Sequence, residues 1–175
     1  MRVAMLMADG FEESEFRHPF EALTLAGHDV LVVGPRAGSV LAGKKGRESV
    51  PVDLPVDRAA PDDFEAVVIP GGYSPDRLRI IPAAVAFVAA MHAAGRLVAT
   101  ICHGPWLLIE AELVRDRRLT GWASVRTDVR NAGGHWNDAP VVVDGTIITS
   151  RRPEDLDDFS DAVLTALAER GSRAA

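Results

Sequence analysis

Residues 2–33 read RVAMLMADGFEESEFRHPFEALTLAGHDVLVV, and this stretch decides the fold. The apolar run over 2–7 predicts a buried strand, and apolar residues at helical spacing predict a helix over 12–26. Gly27 is a typical signal for the end of that helix, and 29–33 is a second apolar run. A strand, a helix and a strand in this order predict two parallel strands joined by a right-handed crossover.

The same alternation of strands and helices continues along the chain. Further buried strands are predicted over 66–69 and 96–101, and Asp144-Gly145 predicts the turn of a hairpin over 140–149. Residues 38–56, rich in glycine, lysine and β-forming residues, predict a turn-rich β excursion. The pattern predicts an α/β fold: a doubly wound, mostly parallel sheet with helices on both faces. Those helices are expected over 82–94, 104–112, 125–132 and 153–170.

Length, charge and cysteine content limit the class of protein. The 175 residues suit a single domain over 1–175, of which we expect 171–175 to fray. A net charge of −6 without a basic run argues against nucleic acid as the main partner. No apolar stretch reaches the roughly 18 residues of a membrane span, and 1–8 is expected to form a strand rather than a signal peptide. A single cysteine fits a reducing compartment, so we expect the protein in the cytoplasm.

Three short segments follow predicted parallel strands. They are Asp9-Gly10, Pro70-Gly71-Gly72 and Cys102-His103-Gly104. Doubly wound sheets bind ligands at the carboxyl ends of their strands, near the point where the strand order reverses. We therefore expect these segments to meet in one site.

Cys102 is the first candidate for chemistry. A lone cysteine is more often a small buried hydrophobic residue, but this one lies between a predicted strand and a predicted helix, with Gly104 allowing a sharp turn. Strand, nucleophile and helix in this order are typical of a nucleophile elbow. We expect a partly exposed Cys102, with donors at the helix start lowering its pKa below about 8.5. His103 is either its base or a residue that fixes its own loop.

Acidic and glycine residues supply the other candidates. Glu12 and Glu15 share one face of the first helix, and Glu15 is closer to its buried side, where a nearby thiolate would raise its pKa. The backbone N–H groups of Gly71 and Gly72 are candidates for an oxyanion pocket. Neither a metal nor another cofactor is expected, because the histidines lack metal-ligand spacing and no dinucleotide or phosphate-loop motif is present.

Several of these segments together resemble the DJ-1/PfpI family, and in particular its branch of PfpI-type intracellular proteases and general stress proteins. The resemblance covers nearly the whole chain. The matching segments are Phe11–Glu15, Ile69–Gly72, Ala99–Pro105, Asn131–Gly133 with Trp136, and Val141–Gly145.

The resemblance implies a flavodoxin-like fold, assembly as a homodimer or a larger homo-oligomer, and roles for particular residues. Cys102 takes the position of the nucleophile, Glu15 that of the carboxyl beside its sulfur, and Glu12 is a second candidate acid. Asp76 takes the position of an acid that orients the histidine of a neighbouring subunit. Members of this family commonly carry a glutamate at that position, and the side chain of Asp76 is shorter than a glutamate by one methylene group.

The residues and the resemblance together leave four competing functions. The first, which we favour, is a cofactor-free glyoxalase- or deglycase-type enzyme acting on small aldehydes such as methylglyoxal or on their protein adducts. The second is a cysteine peptidase that needs Cys102, His103 and Asp76 in register between subunits. The third is a redox sensor with an oxidisable Cys102. The fourth is a stress or binding protein without turnover.

Overall fold

The computed structural model describes residues 1–174. Over these residues the chain forms eleven strands and six α-helices. The strands are β1 (Arg2–Leu6), β2 (Asp29–Gly34), β3 (Val40–Ala42), β4 (Ser49–Pro51), β5 (Leu54–Pro55), β6 (Ala66–Ile69), β7 (Leu97–Ile101), β8 (Arg118–Leu119), β9 (His135–Trp136), β10 (Val141–Asp144) and β11 (Ile147–Ser150). The helices are α1 (Glu13–Leu25), α2 (Ser74–Leu78), α3 (Pro82–Ala93), α4 (Pro105–Glu110), α5 (Arg126–Asn131) and α6 (Leu156–Ala174).

Seven of the strands form one sheet in the order β10-β11-β7-β6-β1-β2-β5. All neighbours in it are parallel except β10 and β11, which form the predicted hairpin with Asp144 opposite Ile147. From β1 the chain moves to β2 on one side, whereas β6 and β7 lie on the other side. The strand order therefore reverses between β1 and β6, and this is where a ligand site is expected.

The sheet is covered on both faces, and its strands alternate between two cores. Val3 and Met5 of β1 belong to one core, which includes residues of α1 and α6 such as Phe16 and Phe159. Ala4 and Leu6 belong to the other core, which includes residues of α3 and α4. The predicted doubly wound, mostly parallel sheet with helices on both faces is confirmed.

Element boundaries differ from the predictions where turns replace helical ends. A 3₁₀ turn over Pro153–Asp155 precedes α6, and α6 continues past Gly171 to Ala174, beyond the predicted end at Arg170. The part of the expected frayed tail at Ala175 lies outside the described residues. The short pair β8–β9 and helix α2 had no signal in the apolar pattern. Within residues 1–174 no helix has the length and apolar character needed to cross a membrane.

The β excursion forms as predicted and packs beside the reversal point. Its strands β3 and β4 pair as an antiparallel hairpin, and the turn between them carries Lys44 and Lys45. Backbone bonds join this hairpin to the loop after β1: Gly10 N–H donates to Ala42 O at 2.7 Å, and Lys44 N–H donates to Phe11 O at 2.9 Å. The hairpin thus lies against the candidate site.

Candidate active site

Cys102 lies at the sharp turn between β7 and α4. Its φ of +62° is in the left-handed region, which non-glycine residues rarely adopt. Two backbone bonds hold this conformation: Cys102 N–H donates to Ser150 O at 3.1 Å, and Trp122 N–H donates to Cys102 O at 2.8 Å. Gly104 is required here, because a side chain at that position would overlap Thr100 Oγ1. The predicted elbow geometry is present.

The surroundings of the thiol differ from the prediction in two ways. Cys102 is only 8% exposed, so it is buried rather than partly exposed. The early amides of α4 are used within the turn, since Gly104 N–H donates to Ile101 O and Trp106 N–H donates to His103 O. The backbone N–H groups of Gly72 and His103 approach the sulfur instead.

Glu15 lies fully buried beside the thiol, in the first turn of α1. Its Oε2 accepts a hydrogen bond from Gly71 N–H at 2.8 Å, whereas its Oε1 has no partner other than the neighbouring Cys102 side chain. Burial raises the pKa of Glu15 from its usual 4.5 to about 7, although the Gly71 N–H bond acts in the opposite direction. This carboxyl therefore exchanges its proton near neutral pH.

Gly71 allows the close approach of the acid and the thiol. A Cβ atom at this position would lie 2.6 Å from Glu15 Oε2, 2.7 Å from Cys102 Cβ and 3.1 Å from His103 N. Only glycine leaves room for both functional groups. The Gly71 N–H is already bonded to Glu15, so of the two predicted oxyanion donors only the Gly72 N–H faces the sulfur.

The expectation of a lowered Cys102 pKa is wrong. Burial raises the pKa of the thiol, and the negative charge of Glu15 raises it further, outweighing the Gly72 and His103 N–H groups. Two neighbouring negative charges in a buried site are unfavourable. The Glu15 carboxyl and the Cys102 thiol therefore share one proton over a wide pH range. A thiolate at Cys102 is therefore favoured only while Glu15 carries that proton.

The imidazole of His103 also contacts the sulfur. Its Nδ1 is 3.2 Å from Cys102 Sγ, and its Nε2 is 3.3 Å from Ser124 Oγ. The imidazole also packs on Trp106, with 4.9 Å between ring centroids. Burial lowers the pKa of His103 and the charge of Lys44 lowers it further, so the ring is neutral near pH 7. Cys102 and His103 are adjacent in sequence, and their side chains come into contact because the backbone turns sharply at this position.

The carboxylate of Glu12 is paired with two lysines rather than with the thiol. Its buried carboxylate forms ion pairs with Lys44 Nζ at 2.7 Å and Lys45 Nζ at 2.5 Å. Burial acts to raise the pKa of Glu12, but these two ammonium groups outweigh it and lower the pKa. Lys44 also acts on Glu15, whose pKa it lowers. No local sequence pattern indicates this cation near the site, because the hairpin that carries Lys44 reaches the site through long-range contacts.

Asp76 lies apart from these residues within one chain. It belongs to the short helix α2, where its exposed carboxylate is 4.0 Å from the Arg79 guanidinium. Among the contacts of the described residues, His103 bonds to Cys102 and Ser124 but not to Asp76. The predicted role of Asp76 toward a neighbouring subunit stays a prediction.

The described residues offer no metal site. Over the searched part of the chain, no three His, Cys, Asp or Glu side chains come together in a way that could hold a metal ion. The chemical groups that do meet are a thiol, a carboxyl, an imidazole and two free backbone N–H groups. This set can carry out nucleophilic addition and proton transfer.

Comparison with known sequences places this geometry in a family. The sequence model of the DJ-1/PfpI family matches residues 1–166. Protein/nucleic acid deglycase 2 of Escherichia coli (strain K12) is 42% identical over 167 residues, which are 95% of this chain and 97% of that protein. A deglycase of Pyrococcus abyssi is 46% identical over 156 residues, which are 89% of this chain and 93% of that protein.

Solved structures agree with the sequence matches. A two-domain protein of Anabaena variabilis, with DJ-1/ThiJ/PfpI-like and ferritin-like domains, superposes with a TM-score of 0.94 at 42% identity. The match covers 95% of this chain and 48% of that protein, so this chain spans about half its length. Schizosaccharomyces pombe DJ-1, with a TM-score of 0.85 at 23% identity over 95% of this chain and 91% of its own, shares the fold. Likeness over almost the full length, in sequence and in structure, means that this chain belongs to the DJ-1/PfpI family.

Proposed function

We propose that this protein is a cysteine-dependent deglycase of the stress response that acts on aldehydes of the methylglyoxal type and on their adducts, without a cofactor. The names of the deglycase relatives support the reaction class. The observation that carries the proposal is the buried carboxyl of Glu15, which lies against Cys102 with a pKa of about 7 and with no other partner for Oε1. A structural cysteine needs no such acid beside it.

The first step is addition of sulfur to carbon. An adduct between methylglyoxal and an amine releases the amine when its C–N bond breaks, which leaves the aldehyde carbon open to attack. Cys102 Sγ adds to that carbon, and the carbonyl oxygen takes up a proton to give a hemithioacetal. Glu15 accepts the thiol proton and returns it, since its pKa lies near the working pH.

The second step moves hydrogen between the two carbons. Glu15 removes the proton from the carbon bonded to sulfur, and the neighbouring ketone carbon takes up a proton after an enediol intermediate. The first carbon is oxidised to a thioester and the second is reduced to an alcohol, so the step needs no external oxidant. Water then cleaves the thioester, which releases lactate and restores the thiol.

The backbone stabilises the charged oxygen in both steps. The N–H groups of Gly72 and His103 approach the sulfur. An oxygen on the carbon attached to that sulfur lies within reach of the same donors. His103, neutral near pH 7, orients the sulfur through Nδ1 without adding a second charge.

Solvent deuterium tests this proposal. Methylglyoxal incubated with the protein in D₂O should give lactate with deuterium at its second carbon, because Glu15 exchanges the proton that it carries. Cys102→Ser should abolish lactate formation, and Glu15→Gln should reduce it by at least about a hundredfold, as loss of general acid–base catalysis does. If Cys102→Ser formed lactate at an unchanged rate, the proposal would be rejected.

A cysteine peptidase is the second candidate, and the 3.2 Å contact between Cys102 Sγ and His103 Nδ1 favours it. The triad would need an acid at His103 Nε2, where Ser124 Oγ now lies. The family resemblance makes Asp76 of a second subunit the candidate for that place. His103→Ala separates the two functions: it should abolish peptide cleavage and leave much of the aldehyde chemistry, which depends on Glu15.

A further inference from the structure

The imidazole of His103 has a polar neighbour at each of its two ring nitrogens. Nδ1 lies 3.2 Å from Cys102 Sγ, and Nε2 lies 3.3 Å from Ser124 Oγ. Within residues 1–174, the Ser124 hydroxyl is the one hydrogen-bond partner of Nε2. A hydroxyl therefore occupies the place where a peptidase triad has the acid that orients its histidine.

The backbone holds Ser124 against the elbow. Ser124 belongs to a 3₁₀ turn over Ala123–Val125, and just before this turn Trp122 N–H donates to Cys102 O at 2.8 Å. Gly121 allows the segment to come this close, because a Cβ atom at that position would lie 3.0 Å from Cys102 O. The hydroxyl of Ser124 and the thiol of Cys102 are thus fixed relative to each other by a direct backbone bond.

The imidazole ring itself is held by Trp106. The two ring centroids are 4.9 Å apart, and Trp106 Nε1–H donates to Asp128 Oδ2 at 2.8 Å, which fixes the indole. Burial holds the pKa of His103 below its usual value, so the ring is neutral and carries a single N–H. What the fold leaves to be decided is which of the two nitrogens carries that proton.

The two candidate reactions need the proton on different nitrogens. In a peptidase triad, an acid accepts a hydrogen bond from Nε2–H, and the bare Nδ1 is the base that takes the proton of the thiol. In the aldehyde reaction, Glu15 holds the proton and the sulfur of Cys102 is an anion. An N–H on Nδ1 then stabilises the sulfur, whereas a lone pair there would repel it. The second arrangement leaves a lone pair on Nε2, which needs a hydrogen-bond donor.

We propose that Ser124 is a positioning residue whose hydroxyl donates to His103 Nε2, so that Nδ1–H donates to the sulfur of Cys102. A hydroxyl can donate in this way, whereas a carboxylate can only accept. Water in place of the hydroxyl could equally accept from Nε2–H and would select neither arrangement. The inference rests on the proposed function, since it explains how the imidazole supports a thiolate without acting as its base.

The rate of thiol alkylation measures the effect of Ser124 on the sulfur. Cys102 is the only cysteine of the sequence, so iodoacetamide reports on this sulfur alone. Ser124→Ala should lower the alkylation rate near neutral pH by about fivefold, as loss of one hydrogen bond does, and should move its pH profile to higher pH. Ser124→Thr keeps a hydroxyl and should restore most of the rate. Thr127→Ala removes an exposed hydroxyl from the nearby helix α5 and should leave the rate unchanged.

A double-mutant cycle shows whether Ser124 acts through His103. His103→Ala removes the imidazole and keeps the backbone N–H that approaches the sulfur. In this background Ser124→Ala should cause no further loss of alkylation rate or of lactate formation. An equal loss in both backgrounds would mean that Ser124 only shapes the turn, and no loss in either would mean that its hydroxyl does not act on the thiol. Both results would reject the proposal.

The proton on the imidazole can be located by NMR. In protein labelled with ¹⁵N at histidine, the signals of His103 are those missing from His103→Ala. At about pH 8, where the ring is neutral, they should show the proton on Nδ1 in the wild-type protein and in Ser124→Thr. In Ser124→Ala a larger share of the proton should lie on Nε2. A proton on Nε2 in the wild-type protein would overturn the assignment.

Failure of this inference is distinct from failure of the proposed function, because neither alkylation nor NMR requires the aldehyde reaction. If lactate formation depends on Cys102 but Ser124→Ala changes neither the alkylation rate nor the signals of His103, only the role of Ser124 is wrong. If Ser124→Ala has the expected effects on both but the wild-type protein forms no lactate, only the reaction assignment is wrong.

Discussion

The carboxyl of Glu15 and the thiol of Cys102 come together at the one point of the sheet where Gly71 leaves space for both. The acid comes from the first turn of α1 and the thiol from the end of β7, so the pair spans the reversal of strand order between β1 and β6. Burial raises the pKa of both groups, and the negative charge of Glu15 raises the pKa of the Cys102 thiol further. The pH behaviour of the protein should therefore report on this pair.

Glu15→Gln should stabilise the folded protein at pH 8. The Glu15 pKa is raised to about 7 in the fold and lies near 4.5 when unfolded, so the folded state holds a proton that the unfolded state releases. Stability therefore falls as the pH rises from 4.5 to 7, by about 3 kcal/mol in total. Gln keeps the acceptor for Gly71 N–H and lacks the charge. Urea unfolding at pH 4.5 and pH 8 measures the difference, which should be near zero at the lower pH.

The rate of lactate formation should rise through pH 7. Below this pH both the thiol and the carboxyl are protonated, and above it the pair holds one proton that can move between oxygen and sulfur. A profile of kcat/KM against pH reports this first ionisation of the free enzyme. A single inflection near the ordinary thiol value of about 8.5 would mean that Glu15 does not control the thiol.

Lys44→Met should move that profile to higher pH. The Lys44 ammonium lowers the pKa of Glu15, so its removal lets the pKa rise further and delays the increase in rate. Lys45→Met is the matched control, because Lys45 binds the same Glu12 carboxylate but is not among the charges that act on Glu15. A similar shift of the pH profile in both variants would instead indicate that the loss of an ion pair with Glu12 causes the shift.

Gly71→Ala should inactivate the enzyme. The new methyl group would lie 2.6 Å from Glu15 Oε2 and 2.7 Å from Cys102 Cβ, so it must separate the acid from the thiol. Overpacking of this kind costs about 1–3 kcal/mol of stability. Gly95→Ala is the comparison, since it strains a backbone of φ +70° where no atom lies within 4 Å. Circular dichroism should show that both variants remain folded. Lactate formation should be lost in Gly71→Ala and retained in Gly95→Ala.

The segment 73–80 should lie in a contact between subunits. It exposes two large apolar side chains, Tyr73 at 66% and Ile80 at 80%, beside the exposed carboxylate of Asp76. Light scattering at micromolar concentration should give at least the mass of a dimer, and Ile80→Asp should lower it. A monomeric wild-type protein would reject this assembly, and with it any role for Asp76 at a neighbour's His103.

The fold was predictable because its signals are local. Apolar runs and helical spacing in residues 2–33 reveal the β-α-β unit, and the reversal of strand order follows from how such units join. The same reasoning placed Cys102 at an elbow, which Gly104 and the φ of +62° confirm. Membership in the DJ-1/PfpI family was also predictable, because several motifs occur together in one chain.

The electrostatics of the site were not predictable, because they depend on residues distant in sequence. Cys102 is buried by Glu15 and by the glycines at 71–72, so desolvation outweighs the donors that a strand-helix turn was expected to supply. Lys44 reaches the acid from a hairpin that carries no motif of its own.

The positive φ of Cys102 has a consequence for how this chain can diverge. Glycine, asparagine and aspartate tolerate a left-handed backbone most readily, whereas β-branched side chains do not. A descendant that lost its thiol by drift should therefore carry a small or amide-type residue at position 102, and valine or isoleucine should be absent there even when the rest of the pocket has decayed. The left-handed backbone at position 102 would then be conserved in descendants that have lost the catalytic activity.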